Sequence, residues 1–487
     1  MSGNEGTVRD EVERLRAMPM RRAVTIAVTS GFVGMVVVVA GLWWLAGTPS
    51  VHRGGTLSAG TVIGVLQLVF GLVVLPAGVV ALVVNYRKQR VSEAAHGLAE
   101  IAERRSQAAH QFVSAAASRD DVSHFEERYA RGAELLGHAS PAVRLAGVNW
   151  LAALADSWPQ GRQRCADLLC GYARLPYDPQ AGTEGLAERS VRIEILGLIS
   201  RRMYVNAAHP WHDLDINLRD VLFSGRLRLN GWHIAGSVSF DGATFGQGSK
   251  AYFSDLTFGE RGELSFIEAR IDSAEVRIHD TTIGDQQIRF SKARVVNDGK
   301  IVLHTCPVSG ELAFQGLELD GGNLELIRVT TSPGTRIDLS EAHVVSDSDS
   351  QFYFLNVDLD GCTLNFHRAR LEGATVDFPW SRLAGATVSF EEAHLAAGTR
   401  VSFPRGSLSS QDGQPPRLEL IRARFGAGSR IEIEGQELSC RIRLSGARFE
   451  GGDVDLSKAT FSDAASIIGL PADLPASVTM PATWPRT

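Results

Sequence analysis

The residues of this sequence with the clearest chemical potential are arginines that recur about every 25 residues. They stand just before the last apolar residue of alternate repeat units between Ile216 and Phe461. Guanidinium groups bind phosphates and carboxylates through paired hydrogen bonds. On one face of the protein, such a stripe indicates a surface for a linear polyanion, an acidic protein or lipid headgroups. The candidate interaction stripe consists of Arg270, Arg294, Arg370, Arg424 and Arg448.

The stripe has a simpler interpretation, which the sequence leaves open. Glu268, Glu341 and Glu392 precede the stripe position of their units by two residues. If these carboxylates lie beside the arginines, they neutralise them in surface ion pairs that contribute about 0–1 kcal/mol each. The stripe is then an ordinary solvated surface.

No pattern in the sequence predicts an enzyme, a cofactor or a metal. It lacks a P-loop, GxSxG, HExxH, paired CxxC and dinucleotide fingerprint. His279 and His304 share a repeat position but have no third ligand, and the His209–Asp213 segment is explained by a junction turn. Cys165 and Cys170 are five apart on a predicted helix, so they do not share a face; they are expected to be buried.

The arginines belong to a short pattern that is repeated about 20 times. Each unit has the form apolar-x-apolar-four residues-apolar, as in Val238–Phe245 (VSFDGATF), Leu264–Ile271 (LSFIEARI) and Val454–Phe461 (VDLSKATF). If the last apolar residue is position 0, positions −7 and −5 follow strand alternation. The five-residue step from −5 to 0 indicates a corner between two short faces.

Two different units make one turn. Position −2 is alanine in eight of ten odd-numbered units but in one of ten even-numbered ones. The true period is therefore about 25 residues, which predicts a right-handed parallel β-helix of about ten turns over residues 207–470. Phe240, Phe266, Phe290 and Phe314 occupy position −5 of successive odd units and should form a stacked aromatic column.

Two uncharged runs precede the repeats. Ala23–Gly47 and Thr61–Val84 are each long enough to cross a bilayer. More Lys and Arg residues lie before the first run and after the second than in the connection between the two runs. We therefore predict a cytoplasmic tail at 1–22 and a two-span membrane hairpin at 23–85, with both ends in the cytoplasm. A cleaved signal peptide at 1–47 is the alternative.

Residues 86–206 predict a cytoplasmic helical module that covers the first turn of the β-helix. Its first helix should run from Tyr86 to Ser118, and Ser140 followed by proline predicts an N-cap. Residues 471–487 predict a disordered tail rich in proline, with 462–470 covering the last turn. The other predicted helices are Val122–Leu136, Pro141–Ser157, Pro159–Ala173 and Glu184–Met203.

Short motifs in the module resemble those of a known group. Ala133–Gly137 (AELLG), Val143–Gly147 (VRLAG) and Arg164–Tyr172 (RCADLLCGY) are similar to the module before the repeats in actinobacterial membrane-anchored pentapeptide-repeat proteins. The five-residue step with alanine two before the centre also resembles pentapeptide repeats. The resemblance implies a pentapeptide-repeat-like solenoid and carries no catalytic residues. Unlike the family, position −1 here is often Arg, His or Thr.

Charge and cysteine content bear on location and partners. Residues 211–470 carry about 36 acidic and about 26 basic residues, whereas the remainder is net positive. Five scattered cysteines fit a reducing compartment. We expect a non-enzymatic scaffold in the inner or plasma membrane, with a cytoplasmic β-helix that binds a protein partner and not nucleic acid. A homo-oligomer stays open. The alternatives are a DNA mimic that binds a topoisomerase, as the resemblance implies, and a β-helix enzyme acting on polysaccharide.

Overall fold

A computed structural model describes the protein. The described residues are 20–45, isolated positions between 60 and 107, and 123–480 with gaps at 346–348, 405–414, 434–436, 439, 459, 462–465 and 470–475. The chain divides into two compact units, Met1–Asp121 and Val122–Thr487.

The first unit contains helix α1 (Met20–Leu45), and most of its described apolar side chains, among them Phe32 and Trp44, are exposed. Among the described residues, no helix reaches the combination of length and apolar character needed to span a bilayer. The predicted second span, Thr61–Val84, and the predicted helix from Tyr86 to Ser118 fall largely outside the described residues.

The second unit begins with four helices. They are α2 (residues 123–136), α3 (Pro141–Ser157), α4 (Arg162–Ala173) and α5 (Gly182–Met203), with a 3₁₀ turn at Pro159–Gly161. The helix positions agree with the sequence patterns. Ser140 is the N-cap residue of α3 and proline follows it, as predicted. Its side chain makes no capping hydrogen bond, and its backbone N–H donates to His138 Nδ1 at 3.0 Å.

The helices pack on the first turn of the β-structure. The side-chain amide of Gln163 donates to the Asp215 carbonyl at 2.8 Å, and Asp215 N–H donates to Gln163 Oε1 at 3.0 Å. The Trp232 indole N–H donates to Ser200 Oγ at 3.1 Å. These bonds satisfy polar groups at the end of a solenoid that would otherwise face water.

The predicted parallel β-helix is confirmed, with about 25 residues per turn. Three long faces, here called faces 1, 2 and 3, contain 11, 10 and 11 parallel strands, and shorter ladders form a fourth side. The strands extend from Ile216 to Thr479, so Val478–Thr479, in the predicted disordered tail, is the last strand of face 3. Val478 pairs with Val454 and is buried, so these two residues of the predicted disordered tail form a strand.

The strands of face 1 are Ile216–Asn217, Ser237–Ser239, Glu263–Ser265, Ile288–Arg289, Glu311–Ala313, Arg336–Asp338, Thr363–Asn365, Thr387–Ser389, Arg417–Glu419, Arg441–Arg443 and Ser466–Ile468. Those of face 2 are Leu222–Phe223, Thr244–Phe245, Arg270–Asp272, Arg294–Val296, Glu318–Asp320, His343–Val344, Arg370–Leu371, His394–Leu395, Arg424–Phe425 and Arg448–Phe449. Those of face 3 are Arg226–Asn230, Lys250–Ser254, Glu275–His279, Lys300–His304, Asn323–Ile327, Gln351–Leu355, Thr375–Asp377, Arg400–Phe403, Arg430–Ile433, Asp453–Asp455 and Val478–Thr479. The fourth side has His233–Ile234, Thr257–Phe258, Pro307–Val308, Thr330–Thr331, Asp358–Leu359, Glu437–Leu438 and Thr460–Phe461.

A tight turn joins face 1 to face 2 in each layer. At Phe266–Ala269 the alanine N–H donates to the Phe266 carbonyl at 3.1 Å, and the third residue, Glu268, has φ +59°. Positive φ at the third residue alone is the pattern of a type II turn. The turn accounts for the five-residue step between positions −5 and 0, and it places the buried alanine at −2 where face 2 begins.

The interior is a stack of equivalent side chains. Phe240, Phe266, Phe290 and Phe314 lie one above another with centroid separations of 5.3, 4.7 and 5.5 Å, so the predicted aromatic column is confirmed. All four are fully buried. Offset stacking of this kind adds about 0.5–1.5 kcal/mol per pair to the burial of the rings themselves.

We predict that Phe290→Ala destabilises the solenoid by about 3–5 kcal/mol, because it removes a buried ring that contacts two others and leaves a cavity. Urea unfolding followed by circular dichroism measures the change as a lower midpoint. Trp380→Ala is the matched control: Trp380 is 82% exposed, so its truncation should leave the midpoint nearly unchanged. Equal midpoint shifts in the two variants would contradict the stacked interior.

Candidate functional site

The ten positions of the arginine stripe form one row on face 2. Each residue is the register partner of the next one along the row, which runs Leu222, Thr244, Arg270, Arg294, Glu318, His343, Arg370, His394, Arg424 and Arg448. We call this the face 2 row. Neighbours in it are separated by the spacing of hydrogen-bonded strands, about 4.8 Å.

The first two arginines of the row are neutralised. The Arg270 guanidinium lies 2.9 Å from Asp272 on its own strand, and that of Arg294 lies 2.7 Å from Glu318 on the next turn. These are half-exposed pairs that water screens, and each contributes about 0–1 kcal/mol. This half of the row therefore offers little free positive charge.

The other three arginines of the row are different. Arg370, Arg424 and Arg448 are exposed, and within the described part of the chain none of them pairs with a carboxylate. His394 lies between Arg370 and Arg424 in the register. The predicted stripe residues thus lie in one row of register partners, but only the C-terminal half of the row presents guanidinium groups that are not neutralised.

The expected neutralising carboxylates do not reach the row. Glu268, Glu341 and Glu392 occupy the third position of the type II turns, where the chain bends away from face 2. Glu268 instead faces Lys292 of the neighbouring layer at 3.8 Å, and Glu392 pairs with Arg368 and Arg422. The alternative in which these three glutamates neutralise the stripe is therefore wrong in its details.

The turn residues form a second row, parallel to the face 2 row. All ten have positive φ, and they are Asp220, Gly242, Glu268, Lys292, Gly316, Glu341, Arg368, Glu392, Arg422 and Gly446. In this turn row Glu392 bridges two arginines, since its carboxylate lies 2.8 Å from Arg368 and 2.7 Å from Arg422. Arg422 also contacts Glu391 at 3.0 Å.

The two rows enclose an open groove of about 480 Å³, here called the C-terminal arginine groove. It is lined by Arg368, Ala369, Arg370, Glu392, His394, Arg422, Arg424, Gly446 and Arg448. The hydrogen bond from Arg368 holds the pKa of Glu392 below its ordinary value, with the charge of Arg422 acting in the same direction. Glu392 therefore stays ionised at neutral pH and fixes one wall of the groove.

The lining of the groove offers hydrogen-bond donors to anions. Guanidinium groups keep their protons at all physiological pH values, so they can donate hydrogen bonds but cannot act as a general base. Glu392 is already committed to two arginines.

The other candidate residues do not assemble a site. His279 and His304 are register partners, as predicted, but His279 contacts Asp280 at 3.0 Å and His304 contacts Arg328 at 2.9 Å. His212 lies in the junction turn, 3.0 Å from the Tyr204 carbonyl. Across the described residues, no cluster of three or more His, Cys, Asp or Glu side chains could hold a metal ion.

The cysteines are interior residues, as expected. All five are unpaired and buried, and these are Cys165, Cys170, Cys306, Cys362 and Cys440. Burial raises the pKa of Cys165 and Cys306 to about 11 and that of the other three to about 12. The reactive thiolate is therefore scarce at neutral pH.

Sequence reasoning missed the turn row, and with it Arg368 and Arg422, and it considered Glu392 only as a partner of the stripe arginines. A signal was present: Gly242, Gly316 and Gly446 occupy the same position, and glycine recurring at a corner indicates positive φ. Positive φ implies a tight turn, which would have placed this position beside the face 2 row.

No model of a known protein family matches this sequence, and no curated protein matches it either. The chemistry of the C-terminal arginine groove is therefore the basis for assigning a function.

We predict that phenylglyoxal modifies Arg370, Arg424 and Arg448 faster than Arg368 and Arg422. The reagent attacks the neutral guanidine, and the Glu392 carboxylate raises the pKa of Arg368 above its ordinary value. Peptide mass mapping after short exposures measures the rates. Arg417 and Arg441, exposed on face 1 without a carboxylate partner in the described chain, should react as fast as the first group. One common rate for all seven arginines would contradict the pairing described here.

Proposed function

We propose that this chain is a non-enzymatic, membrane-tethered interaction protein of the pentapeptide-repeat type. Its right-handed β-helix lies in the cytoplasm and binds a protein partner through the C-terminal arginine groove. The observation that carries the proposal is the set Arg370, Arg424 and Arg448: three exposed guanidinium groups in one row, unpaired within the described chain.

The rigidity of the scaffold supports a role in binding. Each row residue belongs to a strand with a hydrogen-bonded neighbour on both sides, except at the ends of the sheet. Backbone positions held in this way lose little conformational entropy when a partner binds. A solenoid thus presents a fixed array of side chains, which is the usual basis of binding by repeat proteins.

The membrane tether is supported by the sequence. The two uncharged runs at residues 23–47 and 61–84 have charged flanks with the bias expected for cytoplasmic ends. The described apolar side chains of α1, such as Val33 and Trp44, are exposed, as side chains that contact lipid would be. Reversed topology would place the β-helix outside the cell.

A DNA mimic is less well supported than a receptor for anionic groups. Mimicry needs a continuous acidic face with the spacing of duplex phosphates. Over residues 361–450 the solenoid has 12 Arg and no Lys against 10 Asp and Glu, so this part is net basic.

A photocrosslinking experiment in intact cells tests the proposed function. With p-benzoylphenylalanine in place of His394 in the full-length chain, we expect irradiation to yield one discrete crosslinked protein, identified by mass spectrometry. The same amino acid in place of Arg417 on face 1 is the control and should not give that product. Adding Arg424→Glu and Arg448→Glu to the first variant should abolish it. No product at residue 394, or the same product from both positions, would refute the binding role of the groove.

The tether has a separate test. We expect the full-length chain to stay in the membrane pellet after extraction with alkaline carbonate, because an apolar span resists release by high pH and charge repulsion. Added protease should digest the β-helix in broken cells and spare it in intact ones. Release into the carbonate supernatant would rule out an integral anchor, and digestion in intact cells would rule out the cytoplasmic location.

A further inference from the structure

The solenoid is net basic over residues 361–450 and net acidic over residues 211–360. Residues 211–360 carry 13 Lys and Arg against 23 Asp and Glu, whereas residues 361–450 carry 12 against 10. The groove itself extends over four turns, from Arg370 to Arg448, which is on the order of 15 Å. Its ligand is therefore anionic over a short length.

Extended polyanions fit this distribution poorly. A duplex or an anionic bilayer that reached the groove would also approach the acidic part of the solenoid. Glu372 and Glu450 add negative charge close by. Each comes directly after a face 2 strand, Arg370–Leu371 or Arg448–Phe449. Like charges brought together in this way reduce affinity. A segment of protein with one or two anionic groups avoids the repulsion.

The spacing of the arginines favours phosphate. Arg424 and Arg448 are register partners, about 4.8 Å apart along the row, so both guanidinium groups can reach a single anion. A phosphate monoester offers three acceptor oxygens and nearly two negative charges, enough for two forked donors, whereas a carboxylate offers two oxygens and one charge. The absence of lysine from residues 361–450 agrees with recognition by forked hydrogen bonds.

A second anionic group fits beside Arg370. This residue is two strands from Arg424, about 10 Å along the row, with His394 between them. In a peptide with polyproline II conformation, side chains three residues apart lie on the same side and are separated by about 9 Å. An acidic residue three positions from a phosphorylated one would therefore contact Arg370 while the phosphate contacts the other two arginines.

We infer that the C-terminal arginine groove binds a short phosphorylated segment of a partner protein, with the phosphate between Arg424 and Arg448 and a second acidic group against Arg370. This inference rests on the proposed function and names its partner class. Arg368 and Arg422 form the opposite wall, where Glu391 and Glu392 neutralise them, so they do not compete for the phosphate.

Fluorescence anisotropy with the full-length protein tests this inference. The probe is a dye-labelled glycine-serine peptide containing one glutamate and, three residues later, one phosphoserine. We expect it to bind at least about tenfold more tightly than its unphosphorylated form, since charged hydrogen bonds to phosphate are lost in the latter. Arg424→Glu/Arg448→Glu should abolish the difference, and Arg424→Lys/Arg448→Lys should reduce it several-fold, because lysine keeps the charge but not the fork.

The matched control is Arg417→Glu/Arg441→Glu. These arginines are also register partners on adjacent turns, but they lie on face 1, so the same change in net charge should leave peptide binding intact. Short oligo(dT) and phosphatidylserine vesicles are tested alongside the peptide. Tighter binding of either one through Arg424 and Arg448 would overturn the inference in favour of nucleic acid or membrane.

Equal affinity for the phosphorylated and unphosphorylated peptides would also overturn it, as would phosphopeptide binding that survives Arg424→Glu/Arg448→Glu. These failures are distinct from failure of the proposed function. If the residue 394 crosslink forms while the phosphopeptide does not bind, the groove still has a protein partner and only the phosphate chemistry is wrong.

Discussion

The hydrogen-bonded stacking of one full turn on the next is the constraint on which the rest of this structure depends. A single turn cannot bury its apolar side chains, and its strands have no partners of their own. Stacking provides both, because residues about 25 positions apart pair in register and their interior side chains coincide. The phenylalanine columns, the alanines at the corners and the outward arginine row are all consequences of that repeat.

The same constraint explains how a surface site arises without a pocket of conventional shape. Once two side chains per turn point outward on either side of a corner, they generate two parallel rows. In the first half of the solenoid, Arg270 pairs with Asp272 on its own strand, and Arg294 pairs with Glu318 in the face 2 row. Towards the C terminus, Glu392 pairs with two arginines of the turn row. Arg370, Arg424 and Arg448 therefore have no carboxylate partner in the described chain.

The fold was predictable because its signal is periodic. Alanine in alternate units was enough to give the length of a turn and the pairing of Arg270 with Arg294. The pairing of charges was less predictable, since it depends on which way a turn residue such as Glu392 points, and that follows from its positive φ. The Arg270–Asp272 pair could have been predicted from the sequence, because residues two apart on a strand point to the same side. The strand at Val478 was not predicted, because the prolines around it indicated a disordered tail.

Excimer fluorescence from pyrene-labelled cysteines tests the stacking most directly. With cysteines in place of His394 and Arg424, which are register partners, stacking by full turns predicts strong excimer emission that disappears in urea. The native cysteines are buried and should not take up the label. A turn of half the length would instead bring Arg424 beside Glu437. Excimer emission from the 424/437 pair, and none from the 394/424 pair, would contradict the repeat of about 25 residues and remove the arginine row with it.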